Sequence, residues 1–181
     1  MKMIIIRHGQ TDANLEGIVQ GIGIDMSLNS VGTLQAETLG FNLKQYNITE
    51  IYSSTMKRAN ETSEILSKYS GAKIFLWPGL EEVHFGDAEG MKSDDARQKY
   101  KDIFEKVDDD VTPDFDISIP NGESVNQNLE RVIKALKAIK LVSTQPVVAV
   151  VTHGAVMYNL YRKFYKIKKR FDNCEFFELE A

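Results

Sequence analysis

The stretch Lys2-Met3-Ile4-Ile5-Ile6-Arg7-His8-Gly9 opens with a short apolar run rich in β-branched residues, then breaks on a histidine and a glycine. A run without polar alternation marks a strand buried on both faces, as inside a parallel sheet. The pattern returns far along the chain, where Pro146–Val151 leads into Thr152-His153-Gly154. Two such strands in one parallel sheet bring both histidines to the same edge. Ligands of open α/β sheets sit beyond the carboxyl ends of the strands. Glycine after each histidine lets the backbone turn sharply and approach a ligand closely.

Working outward, Ile48–Ser53 and Lys73–Trp77 read as further strands, the latter stopped by Pro78-Gly79, and a last strand is expected near Glu175–Leu179. Val31, Leu34, Thr38, Phe41 and Leu43 recur at helical spacing up to about Tyr46. Thr55 is placed to cap a helix running to about Tyr69, with Ala59, Ile65 and Leu66 inward and Gly71 past its end. Ser93 with Asp94-Asp95 resembles a helix start, and Asp108–Asp110 with Pro113 marks a loop. Ser124 and Gln127 form a capping box for a helix whose apolar face is Val125, Leu129, Val132, Ile133, Leu136 and Ile139. A short helix is expected from Ala155. Strands alternating with helices predict an α/β fold, a three-layer sandwich with a mostly parallel central sheet and helices on both faces.

The 181 residues, 43% hydrophobic and 27% charged, suit one domain, 1–181. No apolar run approaches the roughly 18 residues of a membrane span, and Met1–Ile6 is too short for a secretory signal. A single cysteine, Cys174, excludes a disulfide framework and a multi-cysteine zinc site, and reads as inert. A cytoplasmic protein without membrane partners is expected. A net charge of −4 argues against nucleic-acid binding. Residues 91–123 carry ten acids against five bases, whereas six of the nine residues Arg162–Arg170 are basic, which reads as a solvated helix face.

Arg7-His8-Gly9-Gln10-Thr11 is an uncommon pentad, and it resembles the signature of the histidine phosphatase superfamily, the phosphoglycerate mutase-like family. Asn14 and Gln20-Gly21 follow at the family's spacing. Ser53-Ser54-Thr55-Met56-Lys57-Arg58-Ala59 resembles its second-arginine motif, and Leu80-Glu81-Glu82-Val83-His84-Phe85-Gly86, ending in Glu89-Gly90, its acid motif. Gly122-Glu123-Ser124 and Val151-Thr152-His153-Gly154 complete a set spanning residues 2–156.

The resemblance implies that His8 is the nucleophile, forming a phosphohistidine and expelling an alcohol. Its other ring nitrogen should then donate to a fixed acceptor, a backbone carbonyl near the turn. Arg7, Arg58 and a protonated His153 are expected around the phosphoryl oxygens, the guanidinium forks binding them bidentately. Asn14, Gln20 and the N–H groups near Thr11 and Gly154 are expected as neutral donors. Glu82 would protonate the leaving oxygen and later take a proton from the attacking water; Glu81 is its rival, and His84 reads as a rim residue. Residues 91–123 are expected to cover the pocket as a lid, with Phe85, Phe104, Phe115 and Ile119 as candidate apolar lining. No cofactor and no metal are implied.

The chain departs from the family's pattern at Ile18, where an arginine is frequent, and at Ala13 and Ala88, where tryptophan is frequent. The segment Phe85–Gly90 resembles the phosphatase branch, so the expected substrate is a small-molecule phosphate ester. Phosphoglycerate mutase-type transfer, a non-catalytic phospho-ligand binder, and a metal hydrolase on His8, His153 and Glu82 are the alternatives. Clustered arginines argue against the last. A homo-oligomer is left open.

Overall fold

β1 (Lys2–Arg7) and β4 (Val147–Thr152) lie side by side and parallel, with Arg7 in register with Thr152. They form the centre of a five-stranded sheet in a computed structural model that describes residues 1–180. The remaining elements, in chain order, are α1 (Asp12–Leu15), α2 (Ser30–Asn42), a 3-10 turn (Leu43–Tyr46), β2 (Glu50–Ser53), α3 (Lys57–Ser70) and β3 (Lys73–Leu76). There follow a 3-10 turn (Gly86–Ala88), α4 (Ser93–Lys99), α5 (Lys101–Asp108), α6 (Val125–Val142), α7 (Gly154–Tyr165) and β5 (Phe176–Glu180). The sheet order is β3-β2-β4-β1-β5, parallel throughout except for β5, which runs antiparallel to β1. Among the described residues, no helix is long and apolar enough to cross a membrane.

Alternate side chains of the central strands feed two cores. Met3, Ile5, Val148 and Val150 pack with Leu136 and Ile139 of α6 and Leu160 of α7. Ile4, Ile6, Ala149 and Val151 pack on the other face with Leu39 of α2 and Ala59 and Leu66 of α3. Burial on both faces is why these strands read as unbroken apolar runs.

α2 turns the opposite way from its hydropathy pattern. Val31, Leu34 and Phe41, which carry the helical apolar spacing, are 48%, 63% and 65% exposed, while Gly32, Ala36, Leu39 and Gly40 are buried. Small residues let this helix approach backbone to backbone: a Cβ on Gly32 would lie 2.1 Å from the Gln10 carbonyl oxygen, and one on Gly40 2.7 Å from the Tyr69 ring. Contact area, not hydropathy, orients the helix here.

α3 begins at Lys57, and Thr55 does not cap it; the Thr55 hydroxyl donates to Glu81 Oε1 at 2.6 Å. The helix does end on Gly71, at φ 71°, as the glycine signal predicts. The capping box at Ser124 and Gln127 is present.

The basic run Arg162–Arg170 is not a solvated helix face. α7 ends at Tyr165; Arg162 within it and Lys168 beyond it reach the end of α5, while Lys169 pairs with Glu175. Arg162 donates to the carbonyls of Val107 and Asp109, and Lys168 to the carbonyl of Asp108 and the Asp110 carboxylate. The acidic Asp108–Asp110 turn is thus paired with cations rather than free to repel an anionic ligand.

Candidate active site

The parallel register sets His8 and His153 next to each other as their strands end. The His8 amide donates to the Thr152 carbonyl at 3.0 Å, and the two imidazoles stand 5.1 Å apart, centroid to centroid. Ser54 leaves β2 at the same edge, its amide donating to the Val151 carbonyl. Its hydroxyl oxygen shares a 2.8 Å hydrogen bond with His153 Nε2.

His8 Nδ1 donates to the Gly9 carbonyl at 2.7 Å. That bond fixes the tautomer and leaves Nε2 with a lone pair. Nε2 accepts from Arg58 Nε at 3.2 Å. Burial, then the Arg58 and Arg7 charges, hold the His8 ionisation well below the usual histidine range. An unprotonated imidazole is the form a nucleophile requires.

Arg58 lies in the first turn of α3 and is 1% exposed. A buried guanidinium must be hydrogen-bonded. Besides His8, it donates to the carbonyls of Gly21 and Ile24, both at 2.9 Å, and to Asp25 Oδ1 at 3.3 Å. Arg7 donates from Nη1 to the Phe171 carbonyl at 2.6 Å. Gly154 leaves the room this side chain needs, since a Cβ there would stand 3.2 Å from Arg7 Nε.

Three buried side-chain atoms among the described residues have no hydrogen-bond partner: Arg7 Nε, His153 Nδ1 and Gln20 Oε1. Arg7 and His153 stand at the ends of β1 and β4, Gln20 in the loop after α1, and Arg7 and Gln20 line one cleft of about 400 Å3 together with His8, Asn14, Arg58, Glu82 and Gly154. Buried polar groups are rarely left unpaired, so orphans gathered at one place mark where a polar ligand belongs.

Burial first, then the charges of Arg58, His8, Arg131 and Arg7, push the ionisation of His153 in the empty site well below the usual range. Thr11 departs from expectation. It is fully buried and outside the cleft; its amide donates to Asn14 Oδ1, and its hydroxyl caps α1 by accepting from the Asn14 amide. Thr11 therefore orients Asn14 instead of meeting a ligand. Asn14 Oδ1 is occupied by Thr11 and Asn173, which leaves its amide N–H groups as the part available to the cleft.

Glu82 and Glu81 separate clearly. The Glu82 carboxylate lines the cleft at the start of α7 and accepts from the amides of Val83, Ala155 and Val156. A helix N-terminus suits a carboxylate. It also occupies two N–H groups that the sequence offered as phosphate donors beside Gly154. Glu81 turns away to Thr55 and the Gly79 amide. His84 sits at the rim, its side chain 44% exposed.

Residues 93–119 supply the far wall, including Ala96, Ile103, Phe104, Val107 and Ile119. Phe85 lines it as well, but Phe115 does not: its ring lies under the Arg162 guanidinium, 4.7 Å away. Cys174 stays apart from the chemistry, its thiol pushed up to about 12 by burial.

Sequence reasoning missed three supports. Asp25 pairs with Arg58. The Asn173 side-chain amide donates to the His8 carbonyl at 3.0 Å. Arg131, on α6, binds the Glu123 carboxylate through two nitrogens and also donates to the carbonyls of Gly79, Glu81 and Glu82. These are long-range contacts between loops and helices, and no local pattern announces them.

The family model described as "Histidine phosphatase superfamily (branch 1)" matches residues 3–179. The chain is 32% identical over 165 residues to phosphoglycerate mutase-like protein 4 of Arabidopsis thaliana, covering 90% of this chain and 70% of that one. It is 31% identical over 163 residues to the metal-independent phosphoserine phosphatase of the same plant, covering 88% and 67%. In fold it is similar to a mycobacterial glucosyl-3-phosphoglycerate phosphatase solved with VO3, with a TM-score of 0.85 at 22% identity over 99% and 90% of the two chains. With a match of this length, and the histidines and arginines of its signature gathered at one sheet edge, the chain belongs to the histidine phosphatase superfamily.

Proposed function

We propose that this protein is a metal-independent phosphomonoesterase acting through a phosphohistidine on His8. The observation that carries the reading is a buried His8 whose Nε2 accepts from Arg58, with His153 beside it and with the Arg7 Nε and His153 Nδ1 left unpartnered; a phosphate cage of Arg7, Arg58 and His153 is the proposal built on it. A phosphoryl group in this cage receives N–H donors from both guanidinium groups, which match its oxygens in shape and charge. Asn14 and Gln20 add neutral contacts. Phosphoryl transfer needs mainly positioning and charge stabilisation from the protein.

In the first step, His8 Nε2 forms a bond to phosphorus as the phosphorus–oxygen bond to the alcohol breaks. Glu82, protonated, gives its proton to the leaving oxygen. In the second step, water attacks the phosphohistidine, Glu82 takes its proton, and inorganic phosphate leaves with His8 restored. The incoming dianion supplies the negative charge that allows His153 to take up a proton. Residues 91–123 act as a lid within a single domain, 1–181, and a cytoplasmic setting fits a chain with one thiol. The apolar wall favours hydrolysis of a monoester over mutase transfer through a bisphosphate.

The test is phosphate release from a panel of phosphomonoesters with chelator present, using His8→Ala as control. Denatured enzyme quenched during turnover should carry phosphate that is labile to acid and stable to base. Release that persists in His8→Ala, or that chelator abolishes, overturns the reading.

A further inference from the structure

The proposed phosphate-binding residues make up only part of the cleft lining. Ile18, Phe85, Ile103, Phe104, Val107 and Ile119 line it as well. All but Ile119 are only half-buried, so apolar surface faces the empty space where an alcohol would lie. The far wall has its own small core, in which Ala88, Ala96 and Ile119 pack with Phe85, Ile103 and Phe104. That core gives the apolar surface a defined shape.

Ile18 is held in the cleft lining by backbone contacts to the segment before α4. It forms an isolated bridge with Lys92, the Val19 amide donates to the Met91 carbonyl, and the Ser93 amide donates to the Gly17 carbonyl. Two residues on, Gln20 also lines the cleft. The lining side chains that precede Gln20 in this fixed segment, Ile18 and Val19, are therefore branched alkyl groups.

Outside the cage the charged lining residues are Arg97, Asp108, Glu123 and Arg170. The Arg97 guanidinium lies over the Phe104 ring, 4.9 Å from its centroid, and extends the aromatic wall. Arg170 is exposed at the mouth, where Asp108 also lines the cleft. Glu123 is held by Arg131.

We infer that the cleft selects phosphate monoesters of apolar alcohols, alkyl or aryl in body, over esters that carry a second anionic group. The inference rests on the proposed phosphomonoesterase activity and names the substrate class of that same site. Hydrolysis yields the free alcohol and inorganic phosphate, with water as the second reactant. An alcohol seated on these walls removes both its own and the protein's apolar surface from water. Each buried methylene should then raise binding by about fourfold.

The experiment compares kcat/KM for methyl, butyl and hexyl phosphate with that for 3-phosphoglycerate. The three alcohols leave with nearly equal basicity, so the chemical step is matched and chain length is the variable. The expected result is a rise of about threefold to fourfold per methylene up to the size of the cleft, with hexyl phosphate preferred over 3-phosphoglycerate. Phe104→Ala should lower the hexyl-to-methyl ratio about tenfold or more. Ile18→Arg should shift preference toward 3-phosphoglycerate. Ratios within one variant are insensitive to the fraction of enzyme that folds.

A flat dependence on chain length, or 3-phosphoglycerate turned over better than hexyl phosphate by the unaltered protein, overturns the inference while leaving the phosphatase standing. Failure to release phosphate from any ester, with no phosphoenzyme trapped, overturns the proposed function and this inference with it.

Discussion

The Nε of Arg58 donates to Nε2 of His8 at 3.2 Å, so the empty site holds its nucleophile's lone pair in a hydrogen bond with the cation that should later hold phosphate. In the proposed mechanism a bound phosphoryl oxygen takes over that N–H and frees the lone pair, which would make Arg58 both the gate of the nucleophile and a substrate ligand. Arg58→Ala should reduce kcat/KM by at least ~100-fold and weaken inhibition by inorganic phosphate by about tenfold or more. Arg58→Lys keeps the charge but lacks the planar fork, and should recover only a small part of either. Steady-state kinetics with phosphate as competitive inhibitor reads both, and unchanged inhibition in Arg58→Ala would remove the residue from the cage.

His8 and His153 have ionisations depressed by burial first and by Arg58 next. In the unfolded chain each takes a proton near pH ~6.5, whereas the folded protein binds it only at lower pH. Below about pH 6.5 the unfolded state therefore holds more protons, so stability is full at neutral pH and falls on acidification. The slope is up to ~1.4 kcal/mol per pH unit for each histidine. Denaturant unfolding at about pH 5.5 and 7.5 should show this loss, and His153→Asn should remove close to half of it. Saturating phosphate should flatten the dependence too, because a bound anion restores protonation of His153. Equal stability at both pH values would contradict the depressed ionisations.

What the sequence makes legible follows from how each residue is held. β1 and β4 are buried on both faces, so their apolar runs are unambiguous, and His8 and His153 inherit their positions from those strands. Arg58 is legible because it lies only five residues beyond the end of β2. The face of α2 is not, because Gly32, Ala36 and Gly40 bury by close approach and carry little hydropathy signal. Thr55 is also misleading: its hydroxyl has a better partner in Glu81 than in the helix end. The basic run after Arg162 looks solvated until the acidic turn at Asp108–Asp110 folds against it. Local signals locate the strand ends and the residues on them; contacts between distant loops stay hidden.

Glu82 is positioned by three amides, two of them in the first turn of α7. Glu82→Gln retains an oxygen for those donors and removes the proton that should go to the alcohol. The loss of turnover should therefore follow leaving-group basicity. A drop of roughly 100-fold to 10,000-fold is expected for alkyl phosphates, and less than about tenfold for p-nitrophenyl phosphate, whose anion leaves without help. An equal loss across the two would make Glu82 a structural residue and remove it from proton transfer.

Arg131 determines where that carboxylate's backbone lies. Its guanidinium joins Glu123, at the end of the 91–123 segment, to the carbonyls of Gly79, Glu81 and Glu82. The Thr152 hydroxyl adds a 2.7 Å bond to the Leu80 carbonyl from the strand that ends in His153. Loss of Arg131 leaves these carbonyls without their donor and leaves the Glu123 carboxylate only the Asn128 amide, costing about 2–3 kcal/mol of stability. If the clamp also positions Glu82, Arg131→Ala should depress alkyl phosphate turnover more than p-nitrophenyl phosphate turnover, the same signature as Glu82→Gln in weaker form. Arg131→Lys, which reaches fewer of these acceptors at once, should fall between. Glu123→Gln should weaken the clamp less, because a neutral amide still accepts from the guanidinium. Measuring the ratio of the two substrates in each folded variant separates positioning from simple destabilisation. A ratio equal to that of the unaltered protein would confine Arg131 to holding the fold.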